Sequence, residues 1–341
     1  MSMLFRFFDP RRWLRTGEPR AILTVAIVAL LATVVQMHYV GEVTIYRAEI
    51  AEKRLTVHRA IVDYDSGRPE FWTSTGTETQ ASRFAIPVAI DHIHRITGQP
   101  VNLLYKALDA VCLFLLLIAV HALLRSWLDS TSSLLGMFIF IVILPISFSF
   151  HYYQPWDRAT QLLWTLSFLA IRYDRPLLLY ALVPINAFVK FDAILTPGVY
   201  FLSRIGAGNW RRLSLHSAIL VALAAFPIAL VVYLRPDAFP PRGLSLSINL
   251  WDMAKLHISH PAVLVYLQLV VLGYIGRHRA DRMALAFFAC ALLLLVPHFM
   301  LTIFKELRAQ IYIAILMLPA ALLGLEALLS PAIPNRRAAD P

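Results

Sequence analysis

Apolar residues run through this chain in blocks of span length, separated by short polar breaks. A helix needs roughly 20 apolar residues to cross the hydrocarbon core of a bilayer. Runs that meet or approach that length occur at 21–40, 103–124, 133–150, 159–173, 212–233, 259–276, 283–304 and 309–329. A further apolar stretch, 176–203, is too long for an ordinary span and carries Asn186, Lys190 and Asp192 in its middle. It is either one long helix or two short helices meeting at the polar centre.

Arginine placement separates these options, because short loops rich in Lys and Arg stay cytoplasmic. Suppose 176–203 turns back on itself. The arginines of 6–20 then share a side with Arg125, Arg172, Arg175, Arg204, Arg211 and Arg212, and with those of 277–282 and 336–337. A single crossing would move 204–212 and 277–282 to the other side. The pattern therefore predicts an all-α, polytopic transmembrane helical bundle of about 10 membrane segments, one of them a broken hairpin, with both termini cytoplasmic.

The stretches left on the opposite side are 41–102, 151–158, the turn near 187–192, 234–258 and 305–308. The first reads as an amphipathic helix over 43–64, a turn-rich segment over 66–82 and a second amphipathic helix over 83–97. In that second helix Phe84, Ile86, Val88, Ile90 and Ile93 offer an apolar surface to the membrane. The basic, aromatic segment 1–20 is expected on the cytoplasmic surface. The first span follows it without a small-residue cleavage site and is read as uncleaved. Residues 21–329 then form a single transmembrane domain, and 330–341 a cytoplasmic tail.

Composition agrees with this picture. Of 341 residues, 59% are hydrophobic and 15% charged, against about 45–50% and about 25% in soluble globular proteins. The net charge of +10 is spread over short clusters between apolar runs, so membrane lipid, not nucleic acid, is the expected partner. Cys112 and Cys290 both lie inside apolar runs, without metal-site spacing. No Walker sequence, Rossmann glycine pattern, nucleophile elbow or HExxH occurs, which leaves soluble-type nucleotide binding and zinc proteolysis without support.

The candidate chemistry gathers on the arginine-poor side. The first loop holds Asp63, Asp65, Arg83, Asp91, His92 and His94, and the second holds HYYQPWDR with Tyr153, Trp156, Asp157 and Arg158. The hairpin offers Asn186, Lys190 and Asp192, and the last loop Lys305, Glu306 and Arg308. Such a face supplies acids or bases, cations for phosphate and aromatic platforms for a sugar. Ionisable groups at membrane depth are costly and point to function by default, which makes Lys190 and Asp192 the sharpest signal. His92 and His94 differ by two and do not share a helical face, a poor spacing for a zinc pair.

Four elements, taken in order, resemble bacterial multi-spanning membrane proteins of the GT-C glycosyltransferase type. They are SRFAIP (Arg83), YQPWD (Asp157), NAFVKFDAILTP (Asn186, Lys190, Asp192) and KELR (Glu306, Arg308). Lys190, Phe191 and Asp192 stand where similar proteins often carry an Arg-Glu-Thr-like triplet. Asp63 and Asp65 follow the first span more distantly than the acidic pair typical of such proteins. The resemblance implies inverting transfer of a sugar from a polyprenyl-phosphate donor to an acceptor at the outer, periplasmic face of a bacterial inner membrane. It implies Asp63 or Asp65 as base, with Asp157 as competitor. Arg158, Lys190 and Arg308 would bind phosphate, with Arg83 beside them, while Trp156 and Tyr153 would stack on sugar. A divalent metal stays open: the outer acids offer oxygen ligands, but no spacing demands one. Two other classes compete, a transporter or flippase for a lipid-linked or anionic solute and a non-catalytic membrane scaffold.

Overall fold

The structure is a computed structural model that describes residues 19–38, 48–63, 83–146, 156–206, 209–235, 261–301 and 311–329. Among the described residues every regular element is helical. In chain order they are α1 (Pro19–Val35), α2 (Ala48–Val62), α3 (Ala85–Thr97), α4 (Val101–Leu124), α5 (Ser130–Ile146), α6 (Asp157–Arg172) and α7 (Pro176–Val189). A 3₁₀ turn, Phe191–Leu195, joins α7 to α8 (Thr196–Arg204). Then come α9 (Trp210–Leu234), α10 (Pro261–Gly276), α11 (Arg282–Leu301) and α12 (Ile311–Leu329).

Among the described residues, five helices are long and apolar enough to cross a membrane: Ala21–His38, Val101–Leu124, Trp210–Leu234, Arg282–Met300 and Ile311–Leu329. α5, α7 and α10 are apolar but shorter. The chain is an integral membrane protein by the length and apolarity of these helices. Within the two stretches read as amphipathic, 43–64 and 83–97, the described residues hold α2 and α3. α3 buries Ile86 and Ile90, one turn apart, and stops at Gly98, whose left-handed backbone (φ 68°) returns its N–H to the carbonyl of His94.

Two helices organise the interior. α12 is buried on every side from Ile311 to Gly324, the signature of a helix enclosed by others. It packs against α10 and α11 and touches α6. Its crossing with α10 is backbone on backbone: a Cβ at Gly324 would collide with the carbonyl of Leu272, and one at Gly276 with that of Ala320. Small residues permit such approaches where packing, not the hydrophobic effect, drives helix association. α6 lies between α4 and α7. It buries Thr160, Gln161, Thr165 and Ser167 along with its apolar residues, so it faces neighbours, not lipid.

The segment 176–203 does turn back. α7 starts at Pro176, a proline placed where its missing N–H costs nothing, and α8 returns to Arg204. Arg204 meets both the Asp174 carboxylate, at 3.5 Å, and the carbonyl of Ile171. Both ends of the hairpin therefore share a face. Arg172 lies 3.2 Å from Asp281 and donates to the Ser126 carbonyl at 2.8 Å, with its guanidinium over the Trp127 ring. Trp127 Nε1 donates to Asp281, and Arg282 to the carbonyl of Gly206. The links α4–α5, α6–α7, α8–α9 and α10–α11 thus form one arginine-laced end of the bundle.

The opposite end has a small core of its own, made by Ile61, Ile86, Ile90, Tyr105, Trp156 and Val189. It fastens α2 and α3 over the first turns of α4 and α6 and the last turn of α7. Arg235, just past α9, donates to the carbonyl of Ile61 at 2.9 Å and lies over the Phe84 ring. Cys112 and Cys290 are both buried and unlinked.

Candidate functional site

α7 ends because Lys190 turns to extended backbone (φ −158°, ψ 130°), and its N–H closes the last turn on the Asn186 carbonyl at 2.7 Å. Fourteen residues of α7 rise only about 21 Å at ~1.5 Å each, while the hydrocarbon core is ~30 Å thick. The arm is therefore shorter than a full crossing.

At the break, Lys190 Nζ sits 2.9 Å from Asp192 Oδ2, with both side chains almost buried. Charges taken out of water in this way persist by pairing. His298 of α11 and Tyr312 of α12, hydrogen-bonded to each other, lie within electrostatic reach of Asp192. Trp164 of α6 stacks on Tyr312 with centroids 4.4 Å apart and rings 4° from parallel. Three polar groups of the hairpin and of α6 remain unsatisfied. Both amide atoms of Asn186, the hydroxyl of Thr196 and Nε1 of Trp164 are buried without a hydrogen-bond partner among the described residues. Leaving a buried polar group unpaired costs about 1–3 kcal/mol.

The turn before α6 adjoins this break. Trp156 is fully buried and shares its small core with Val189, the residue before Lys190. The Arg83 guanidinium lies 5.4 Å over the Trp156 ring. Asp157 and Arg158 follow and are both buried. Arg158 Nε stands 4.0 Å from Asp109 of α4, and its other nitrogens reach Gln161 at 3.4 Å and Gln36 at 3.5 Å. Gln36 in turn donates to the carbonyl of Ile141 at 2.8 Å. This polar girdle ties α4, α5 and α6 to the end of the first span.

A third group was not singled out from the sequence. His58 of α2 meets the Tyr105 hydroxyl at 2.9 Å through Nδ1, and Nε2 lies 3.8 Å from Asp91 of α3. Asp91 also pairs with Arg95 at 2.7 Å. Burial holds the His58 imidazole below its ordinary value, with Asp91 pulling the other way. Arg54, His58 and Ile61 are buried on one side of α2, a spacing of four and three that marks its inward face. That spacing was the available signal.

The structure thus gathers Arg83, Trp156, Asp157, Arg158, Asn186, Lys190 and Asp192 at one end of the bundle. Asp63 is exposed beyond the last turn of α2, its N–H on the carbonyl of Arg59. Asp65, Tyr153, Glu306 and Arg308 lie outside the described residues. The ring of His94 bonds the Gln99 carbonyl, and among the described residues no group of three or more His, Cys, Asp or Glu is arranged for a metal. No protein-family model, curated protein or solved structure matches the chain.

Proposed function

We propose that this chain is a glycosyltransferase of the bacterial plasma membrane. It takes a sugar from a polyprenyl-phosphate donor and passes it to an acceptor at the outer face, with both termini cytoplasmic. In this topology eight spans and the two arms of the hairpin make about 10 membrane segments. The acceptor oxygen bonds to the anomeric carbon as the carbon–oxygen bond to phosphate breaks. The bonding pair leaves with the lipid phosphate, the acceptor proton passes to a carboxylate, and the anomeric configuration inverts.

One observation carries the reading. The turn with Arg83, Trp156 and Asp157 and the charged break at Lys190–Asp192 adjoin through the Trp156–Val189 core, at the end away from the arginine network. Asp157 is the carboxylate beside this group; Asp63 and Asp65 compete for the role of base. Asp192 takes up the charge of Lys190, so phosphate falls to Arg83 and Arg308, with Arg158 held deeper by Asp109. Arginine suits the task because its planar fork matches phosphate.

The test is mass spectrometry of the lipids that co-purify in mild detergent. Wild type is expected to retain a polyprenyl-phosphate species that an Arg83→Ala, Arg308→Ala double variant loses. Bulk phospholipid alone in both samples would overturn the reading. A re-entrant hairpin with a charged break also suits a flippase; retention of the lipid with movement across proteoliposomes that protein-free liposomes lack, and no transfer, would favour that class.

A further inference from the structure

We infer that the hairpin break receives the uncharged, hydroxyl-bearing part of the donor, the sugar and not the phosphate, hydrogen-bonded by Asn186, Thr196 and Trp164. This rests on the glycosyl-transfer reading above and says which half of the donor goes where.

The argument starts from charge. Lys190 and Asp192 are 2.9 Å apart and almost buried, so their charges largely cancel within the bundle. A phosphate brought to the Lys190 ammonium would meet the Asp192 carboxylate at nearly the same distance. Like charges in a site of low dielectric repel strongly, and an extra buried charge is costly unless paired. The break therefore disfavours an anion.

What remains open is neutral. The Asn186 amide offers two donors and an acceptor, the Thr196 hydroxyl a donor and an acceptor, and the Trp164 indole a donor. All three are buried, and none finds a partner among the described residues. Asn186 and Thr196 flank the break on its two arms. Trp164 is joined to it through its stack on Tyr312, which lies in the field of Asp192. Mixed donors and acceptors without net charge match a ring of hydroxyl groups. A site built to hydrogen-bond hydroxyls discriminates against ligands that lack them.

The test compares binding of four probes to the full chain in nanodiscs by native mass spectrometry. They are polyprenyl phosphate, its glucosyl and mannosyl esters, and its glucuronosyl ester. At least one hexosyl ester should bind about tenfold or more tightly than the bare carrier, and the glucuronosyl ester should not. Asn186→Leu and, separately, Thr196→Val should remove most of that advantage. Asn186→Leu should also raise the Tm of the ligand-free protein, because it removes an unpaired amide from the interior. Equal binding of hexosyl esters and bare carrier would overturn the sugar site while leaving a lipid-phosphate site standing. A tighter glucuronosyl ester would overturn it, as would variants that keep the full hexose advantage, which would assign the three groups to buried water. Binding of none of the four would overturn this inference together with the reading on which it rests.

Discussion

Arg204 and Asp174 face each other at 3.5 Å across the base of the hairpin, although thirty positions of largely apolar chain separate them. That contact shows the segment between them folding back on itself. α7 goes in, breaks at Lys190, and α8 comes back to the face it left.

This sidedness can be measured. Cysteines at Asp174 and Asn209 should react with an impermeant thiol reagent from one side of sealed vesicles, and a cysteine at Ser66 from the other. The native Cys112 and Cys290 are buried and give little background. Labelling of Asp174 and Asn209 from opposite sides would remove the hairpin.

At the break, removing one partner of the Lys190–Asp192 pair leaves a lone, almost buried charge. Lys190→Met alone should destabilise the protein by about 3–5 kcal/mol, whereas Lys190→Met with Asp192→Leu should recover most of that loss. Thermal unfolding in a fixed detergent reads the difference. Equal stability of the single and double variants would mean the pair is not coupled.

The α10–α12 crossing depends on the absence of side chains. Gly324→Leu should lower stability by about 1–3 kcal/mol or more, as overpacking does, because its Cβ has the Leu272 carbonyl in its way. A variant on the more open flank, Glu326→Gln, should leave the Tm within about 0.5 kcal/mol of wild type.

His58 carries a pH dependence whose sign follows from its surroundings. Burial lowers the pKa of the folded protein below the ordinary 6.5. The unfolded chain therefore binds the proton first. The contribution of the neutral imidazole is present in full above 6.5 and is lost as pH falls through the folded value. Unfolding followed between neutral and mildly acidic pH should show a drop in Tm that His58→Asn reduces. His94 and Asp63 also act on this imidazole, so the exposed His92→Asn is the control and should leave the slope in place.

Much of the architecture could be read in the sequence because the bilayer imposes simple rules. Span length located the long helices, and arginine placement required 176–203 to double back, as the Arg204–Asp174 contact shows. The amphipathic helices came from periodicity alone. The site was legible only as a set of polar positions on one side. Trp164 and Tyr312 sit in apolar runs and look like filler; only their stacking, across about 150 positions of chain, joins them to the hairpin. Lys190 and Asp192 were legible as two charges in an apolar stretch, but not their pairing at 2.9 Å, because it depends on the backbone break between them. His58 was hidden for a similar reason, since its partners Asp91 and Tyr105 come from two other helices.

The shortness of α7 bears on fidelity. An arm of fourteen residues ends among other helices, with Asn186, Lys190 and Thr196 buried, so whatever is held at its tip is shielded from bulk solvent by protein. For a donor with a reactive anomeric centre, water is the commonest competing nucleophile, and exclusion suppresses that side reaction. On the reading proposed above, the ratio of productive transfer to wasteful hydrolysis is therefore written into the number of turns between Pro176 and Val189.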